Sequence, residues 1–227
     1  MSTNRREFLG HLTAGAMLGT LPLSEISVSD LLAIQEEQLQ AREEFDMSWT
    51  AKLAGKKHKA CFDCAEHDNG AGVLRSSMWE NQYMTTLGAN RADIMTVMVL
   101  RHNASVLALT QEMWDKYGIG AQKGVKNFLT EKDTDRNPVL QGAADNVPAN
   151  IAGMLLKPFI ERGGIVLVCG VALRNWSATV ATKDGVSREE AYKRTVAGLV
   201  PGALVQPSGV FAAVRAGQEG CAYVRAS

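Results

Sequence analysis

The sequence predicts an α/β protein whose parallel sheet carries helices on both faces. Three observations lead there. Two continuous apolar runs, Ile94–Leu100 and Ile165–Cys169, lack the alternation of a half-exposed strand and suit strands covered on both sides. Segments of helical periodicity alternate with them, as in βαβ units. Cap and stop residues fall between the segments, above all Gly118, Gly163-Gly164 and the capping box Ser187-Arg188-Glu189-Glu190.

The elements follow in order. His58–Cys64 is short, partly alternating, and reads as the first strand. Residues 70–87 place Leu74, Met78, Trp79, Tyr83, Met84 and Leu87 at helical spacing. After the strand Ile94–Leu100, residues 104–117 read as one helix stopped by Gly118. The polar stretch 123–148 exceeds an ordinary connection and reads as a long surface loop, a lid or interface segment. Residues 151–162 read as a helix, Ile165–Cys169 as a second buried strand, and a helix runs from the Ser187 cap to about Leu199. Ala203–Gln206 is a short strand, 210–218 the last helix, and Ala222–Arg225 a final edge strand.

Composition narrows the function classes. The 227 residues carry 24 Lys and Arg against 24 Asp and Glu, so the basic excess of a general nucleic-acid binder is missing. With 46% hydrophobic residues the chain is not a disordered charged tail. Its length suits one domain plus an extension. Four cysteines in a chain of this size do not make a disulfide scaffold.

The start is read separately. Arg5-Arg6-Glu7-Phe8-Leu9 precedes a mild apolar run, 12–23, too short for a stable membrane-spanning helix. This resembles a twin-arginine export signal, which implies a periplasmic protein. No Ala-x-Ala site lies between Thr20 and Asp30, so cleavage is left open. Residues 27–45 have the pattern of a polar helix with a narrow apolar stripe, a linker or an arm on a neighbouring subunit. The expected division is therefore 1–29 signal-like, 30–49 helical arm and 50–227 α/β domain.

In an open parallel sheet ligands bind beyond the carboxyl ends of the strands. Those positions hold Glu66, His67, Asp68 and Asn69 after the first strand, and Arg101, His102 and Asn103 after the second. Cys169 and Gly170 follow the third, and Pro207, Ser208 and Gly209 the fourth. Cys169 stands where a strand turns into a helix, and a helix N-terminus favours a thiolate. Arg101 and His102 are the candidates to stabilise it or to move protons, and Asn103, Gly170, Ser208 and Gly209 are candidate binding positions. Cys61 and Cys64 form a Cys-x-x-Cys inside a strand. Their spacing puts them on opposite faces, so they read as core thiols and not as a redox or zinc pair. No metal site is expected. No Gly-x-Gly-x-x-Gly, phosphate-loop lysine or Gly-x-Ser-x-Gly is present, and no cofactor is expected.

Two segments resemble a known family. Gly164-Ile165-Val166-Leu167-Val168-Cys169-Gly170-Val171-Ala172-Leu173-Arg174 is similar to the strand-Cys-helix segment of DsrE/DsrF-like proteins. Residues 200–210, with Pro207-Ser208-Gly209, and the terminal Gly220-Cys221-Ala222-Tyr223 resemble that family's closing pattern. The resemblance is best from about Ala152 to the end. It implies a flavodoxin-like three-layer sandwich, a homo-oligomer (trimer or hexamer), and a persulfide on Cys169 exchanged with a donor or acceptor protein. The expected function is sulfur handling in the cell envelope. The alternative is a non-enzymatic oligomeric module that binds a small molecule or a partner.

Overall fold

A computed structural model describes residues 45–227. The Arg5-Arg6 segment and the amphipathic stretch preceding Phe45 lie outside the described residues. The compact unit runs Asp46–Ser227. Within it a 3-10 turn, Ser48–Leu53, sinks Trp49 and Leu53 into the core.

Five strands form one sheet: β1 (His58–Cys64), β2 (Ile94–Leu100), β3 (Ile165–Cys169), β4 (Ala203–Gln206) and β5 (Ala222–Arg225). All pairs are parallel and the order is β4-β3-β2-β1-β5. The helices are α1 (Ala71–Leu87), α2 (Gln111–Tyr117), α3 (Ile119–Lys123), α4 (Ala149–Ala152), α5 (Leu156–Glu161), α6 (Gly170–Asp184), α7 (Arg188–Ala197) and α8 (Gly209–Gln218).

The order explains the layers. From β1 to β4 each strand is added on the same side of its predecessor, and right-handed crossovers then keep α1 to α7 on one face. The step from β4 to β5 runs back across the sheet, which puts α8 on the other. The cores agree. Phe62, Met98, Leu100, Val166 and Val168 pack with Val73 of α1 and with Leu173 and Trp176 of α6. Cys61, Val97, Val99, Ile165 and Leu167 pack with Ala212 and Ala216 of α8 and with Trp49. The result is a three-layer α/β sandwich, as in flavodoxin-like folds. Every residue of β2 and β3 is buried, the reason their sequences are continuous apolar runs.

Three connections differ from expectation. The helix expected over 104–117 is broken: a 3-10 segment His102–Ala108 leads into α2, and Leu109 between them is extended (φ −83°, ψ 143°). The buried amide of Asn137 takes the carbonyls of Leu107 and Leu109 at 3.0 and 2.9 Å, and Leu109 bridges Leu199. Asn137 also corrects the surface reading of 123–148, because that segment buries Val125, Val139 and Val147. The helix expected over 151–162 is two pieces. Leu155 is extended (ψ 178°), and α5 restarts with Pro158 in its first turn, where a missing N–H costs nothing.

Far from the carboxyl edge, Glu80 of α1 is 2% exposed. Its carboxylate accepts from Thr96 Oγ1 at 2.6 Å and from Arg162 Nε at 2.9 Å, with Arg91 Nη2 at 3.5 Å. Glu80→Ala removes the carboxylate that Arg162 and Arg91 share and leaves them only neutral acceptors. Urea unfolding should show a loss of about 3 kcal/mol, whereas Lys193→Ala, which breaks a solvent-screened exposed pair with Glu189, should leave stability nearly unchanged. Asp184 accepts from Lys116, Tyr117 and Arg194, and these donors, Lys116 foremost, hold its pKa down to about 2. A depressed folded pKa stabilises above the ordinary carboxylate value and the effect disappears as pH falls towards 2. Acid unfolding of Asp184→Asn should therefore lack part of the wild-type loss in that window.

Candidate functional site

The parallel sheet brings all the strand-end groups to one edge, where a cleft of about 720 Å³ opens between α6 and the segments that follow β1 and β2. Cys169, His102 and Asn103 line it, joined by Glu66, Ser105, Val106, Gln122 and Lys123. From α6 come Val171, Ala172, Asn175, Trp176 and Thr179. They recur at helical spacing after Cys169, so one face of the helix forms a wall.

Cys169 is the N-cap of α6. Its Sγ accepts the Ala172 N–H at 3.4 Å, and the residue is 7% exposed. The backbone donors of a helix N-terminus favour negative charge there. Gly170 makes the turn possible, since a Cβ at that position would stand 2.8 Å from the Gln206 carbonyl oxygen at the end of β4.

His102 sits at φ +47°, in the left-handed region that side chains seldom adopt and that recurs at functional sites. Its imidazole is exposed and has no hydrogen-bond partner among the described residues. Asn103 links two charges: its Nδ2 donates to Glu66 Oε2 at 2.8 Å, and its Oδ1 accepts from Lys123 Nζ at 2.9 Å. The Lys123 ammonium also lies 5.8 Å from the centre of the Trp176 ring. The indole N–H of Trp176 is buried and has no acceptor among the described residues. His67 is structural. Its Nδ1 accepts the Asn69 N–H at 3.2 Å, which leaves Nε2 to donate to the Lys123 carbonyl at 3.2 Å and anchor the end of α3.

Arg101 does not line the cleft. It forms a two-point ion pair with Asp63, Nε to Oδ1 at 2.7 Å and Nη2 to Oδ2 at 2.9 Å. Tyr223 donates to the same carboxylate at 2.7 Å. The hydrogen bond to Asp63 raises the Arg101 pKa further above its ordinary value. Gly209 is needed beside it, because a Cβ there would meet the Arg101 side chain at 2.5 Å. Ser208 caps α8 by accepting the Phe211 N–H at 3.1 Å. Cys61 and Cys64 belong to the two opposite cores. Burial pushes each thiol up to about 12, and Cys221 up to about 11. Among the described residues no cluster of three metal-ligating side chains occurs.

Sequence reasoning missed Lys123, Gln122 and Trp176. Lys123 ends a short helix before Gly124, and no periodicity marks it. Trp176 carried a signal, lying two helical turns after Cys169 on the same face.

Fold and site together define a three-layer α/β protein with a thiol-bearing cleft at the carboxyl edge of its sheet. No protein-family model matches the chain, and no curated protein matches it. No helix among the described residues is long and apolar enough to cross a membrane.

The division of labour at this edge is testable. Arg101→Ala leaves the Asp63 carboxylate buried without its cation and should cost about 3 kcal/mol in urea unfolding. The alkylation rate of Cys169, measured under native conditions, should stay unchanged.

Proposed function

We propose that the protein handles sulfane sulfur in the cell envelope, with Cys169 as the persulfide-forming thiol. The observation that carries this reading is the placement of Cys169: its Sγ caps α6 and accepts a backbone N–H, and the residue lines the cleft that His102 also lines. The resemblance of residues 164–174, 200–210 and 219–225 to DsrE/DsrF-like proteins supports it, and the twin-arginine-like start supports export to the periplasm.

The step needs no outside oxidant. The Cys169 thiolate attacks the sulfane sulfur of a donor such as thiosulfate. The bond between the two donor sulfurs breaks, sulfite leaves with the electron pair, and Cys169 holds a persulfide. We assign the thiol proton to His102, which lines the same cleft. A second thiolate, on an acceptor protein or small thiol, then removes the outer sulfur.

A second reading, an oligomeric binding module without chemistry, is favoured by one observation. Val210, Phe211 and Val214 of α8 are exposed together, an apolar face that a homo-oligomer would cover.

Intact mass after incubation with thiosulfate or polysulfide decides between the two. Sulfur handling predicts a gain of about 32 Da, one sulfur atom, that is lost on reduction and missing in Cys169→Ser. An unmodified wild type, or equal gains in both proteins, would refute it in favour of the module.

A further inference from the structure

The ionic lining of the cleft is mixed. It contains one carboxylate, Glu66, and one ammonium, Lys123, both fixed to the same Asn103 amide at 2.8 and 2.9 Å. The amide holds the two charges apart, and no ion pair joins them among the described residues. Each retains capacity. An ammonium has three donors, of which Asn103 takes one, and a carboxylate accepts at about four sites, of which Asn103 fills one.

This arrangement discriminates by charge pattern. A ligand carrying only negative charge gains Lys123 and is opposed by Glu66. A cationic ligand meets the reverse. A ligand with an ammonium and a carboxylate close together satisfies both. One further observation points to an organic ligand. The cleft, about 720 Å³, lies in the size range of small-molecule sites and far exceeds what an inorganic sulfur anion fills.

We infer that the cleft binds a small sulfur-bearing zwitterion of the amino-acid type, its ammonium on Glu66, its carboxylate on Lys123 and its sulfur towards Cys169. The sulfur chemistry rests on the reading of Cys169 given above; the charge recognition does not. With a persulfide of such a molecule, the Cys169 thiolate attacks the outer sulfur, the ligand's S–S bond breaks, and the ligand departs as its thiolate. Cys169 gains the sulfur and no electrons are left over.

Calorimetric titration with S-methylcysteine tests recognition apart from chemistry, because a thioether cannot exchange with Cys169. Methylthiopropionate and methylthioethylamine, which carry only one of the two charges, are the comparison probes, and wild type and Cys169→Ser are both titrated. S-methylcysteine should bind roughly ten-fold more tightly than either probe in both proteins, the effect of one charge-assisted hydrogen bond. Lys123→Met should erase its advantage over methylthioethylamine, and Glu66→Gln its advantage over methylthiopropionate. Equal affinity for all three probes, no binding, or an advantage that survives both substitutions in folded protein overturns the inference. If S-methylcysteine binds as expected and no sulfur adduct forms on Cys169, the sulfur reading fails and the zwitterion site stands. The reverse pattern removes the site and retains the sulfur chemistry.

Discussion

The structure depends on one geometric constraint: every strand is parallel to its neighbours, and the connections between parallel strands turn right-handed. Parallel pairing sends all carboxyl ends to one edge, so groups scattered from Glu66 to Cys169 in sequence line one cleft there. The handedness decides the rest. Three crossovers in one direction stack α1 to α7 on one face, and the single return from β4 to β5 lays α8 across the other. With both faces covered, β2 and β3 have no exposed residue, and polar side chains are driven to the strand ends.

At that edge the two sides of the sheet have different uses. On the α8 side the charges are spent on structure. Arg101 is closed onto Asp63, Tyr223 joins them, and Gly209 leaves room for the aliphatic stem of Arg101. On the α6 side the polar groups retain free valence. The His102 imidazole is unpaired, the Lys123 ammonium has donors to spare, and the Cys169 sulfur is held by a single long N–H contact. Two cationic side chains, Arg101 and Lys123, thus stand near one strand edge. Only Lys123 lines the cleft.

What could be read from the sequence follows how local each cause is. The apolar runs of β2 and β3, the Ser187 cap and the strand-to-helix turn at Cys169-Gly170 are set by residues a few positions apart, and all are found where expected. The capping box is half made, because Glu190 pairs with Arg194 instead of returning to the cap. The break at Leu109 was not legible, since its cause is the amide of Asn137, which arrives from a distant loop. Cys169, His102 and Asn103 were legible as strand-end residues. Lys123 was not, because only the docking of α3 brings it to Asn103. Arg101 shows the limit of the strand-end rule: adjacent residues of one chain leave the sheet on opposite sides, and its place after an odd-numbered run of α8-facing residues sends it to Asp63.

The proposed sulfur chemistry requires that Cys169 alone among the four cysteines is disposed to react. Peptide-resolved labelling of native protein with iodoacetamide at mildly alkaline pH tests it most directly. Cys169 should be modified first, ahead of Cys221, while Cys61 and Cys64, buried and pushed up to about 12, should label only on unfolding. Modification of Cys169 no faster than any of the other three cysteines would overturn it.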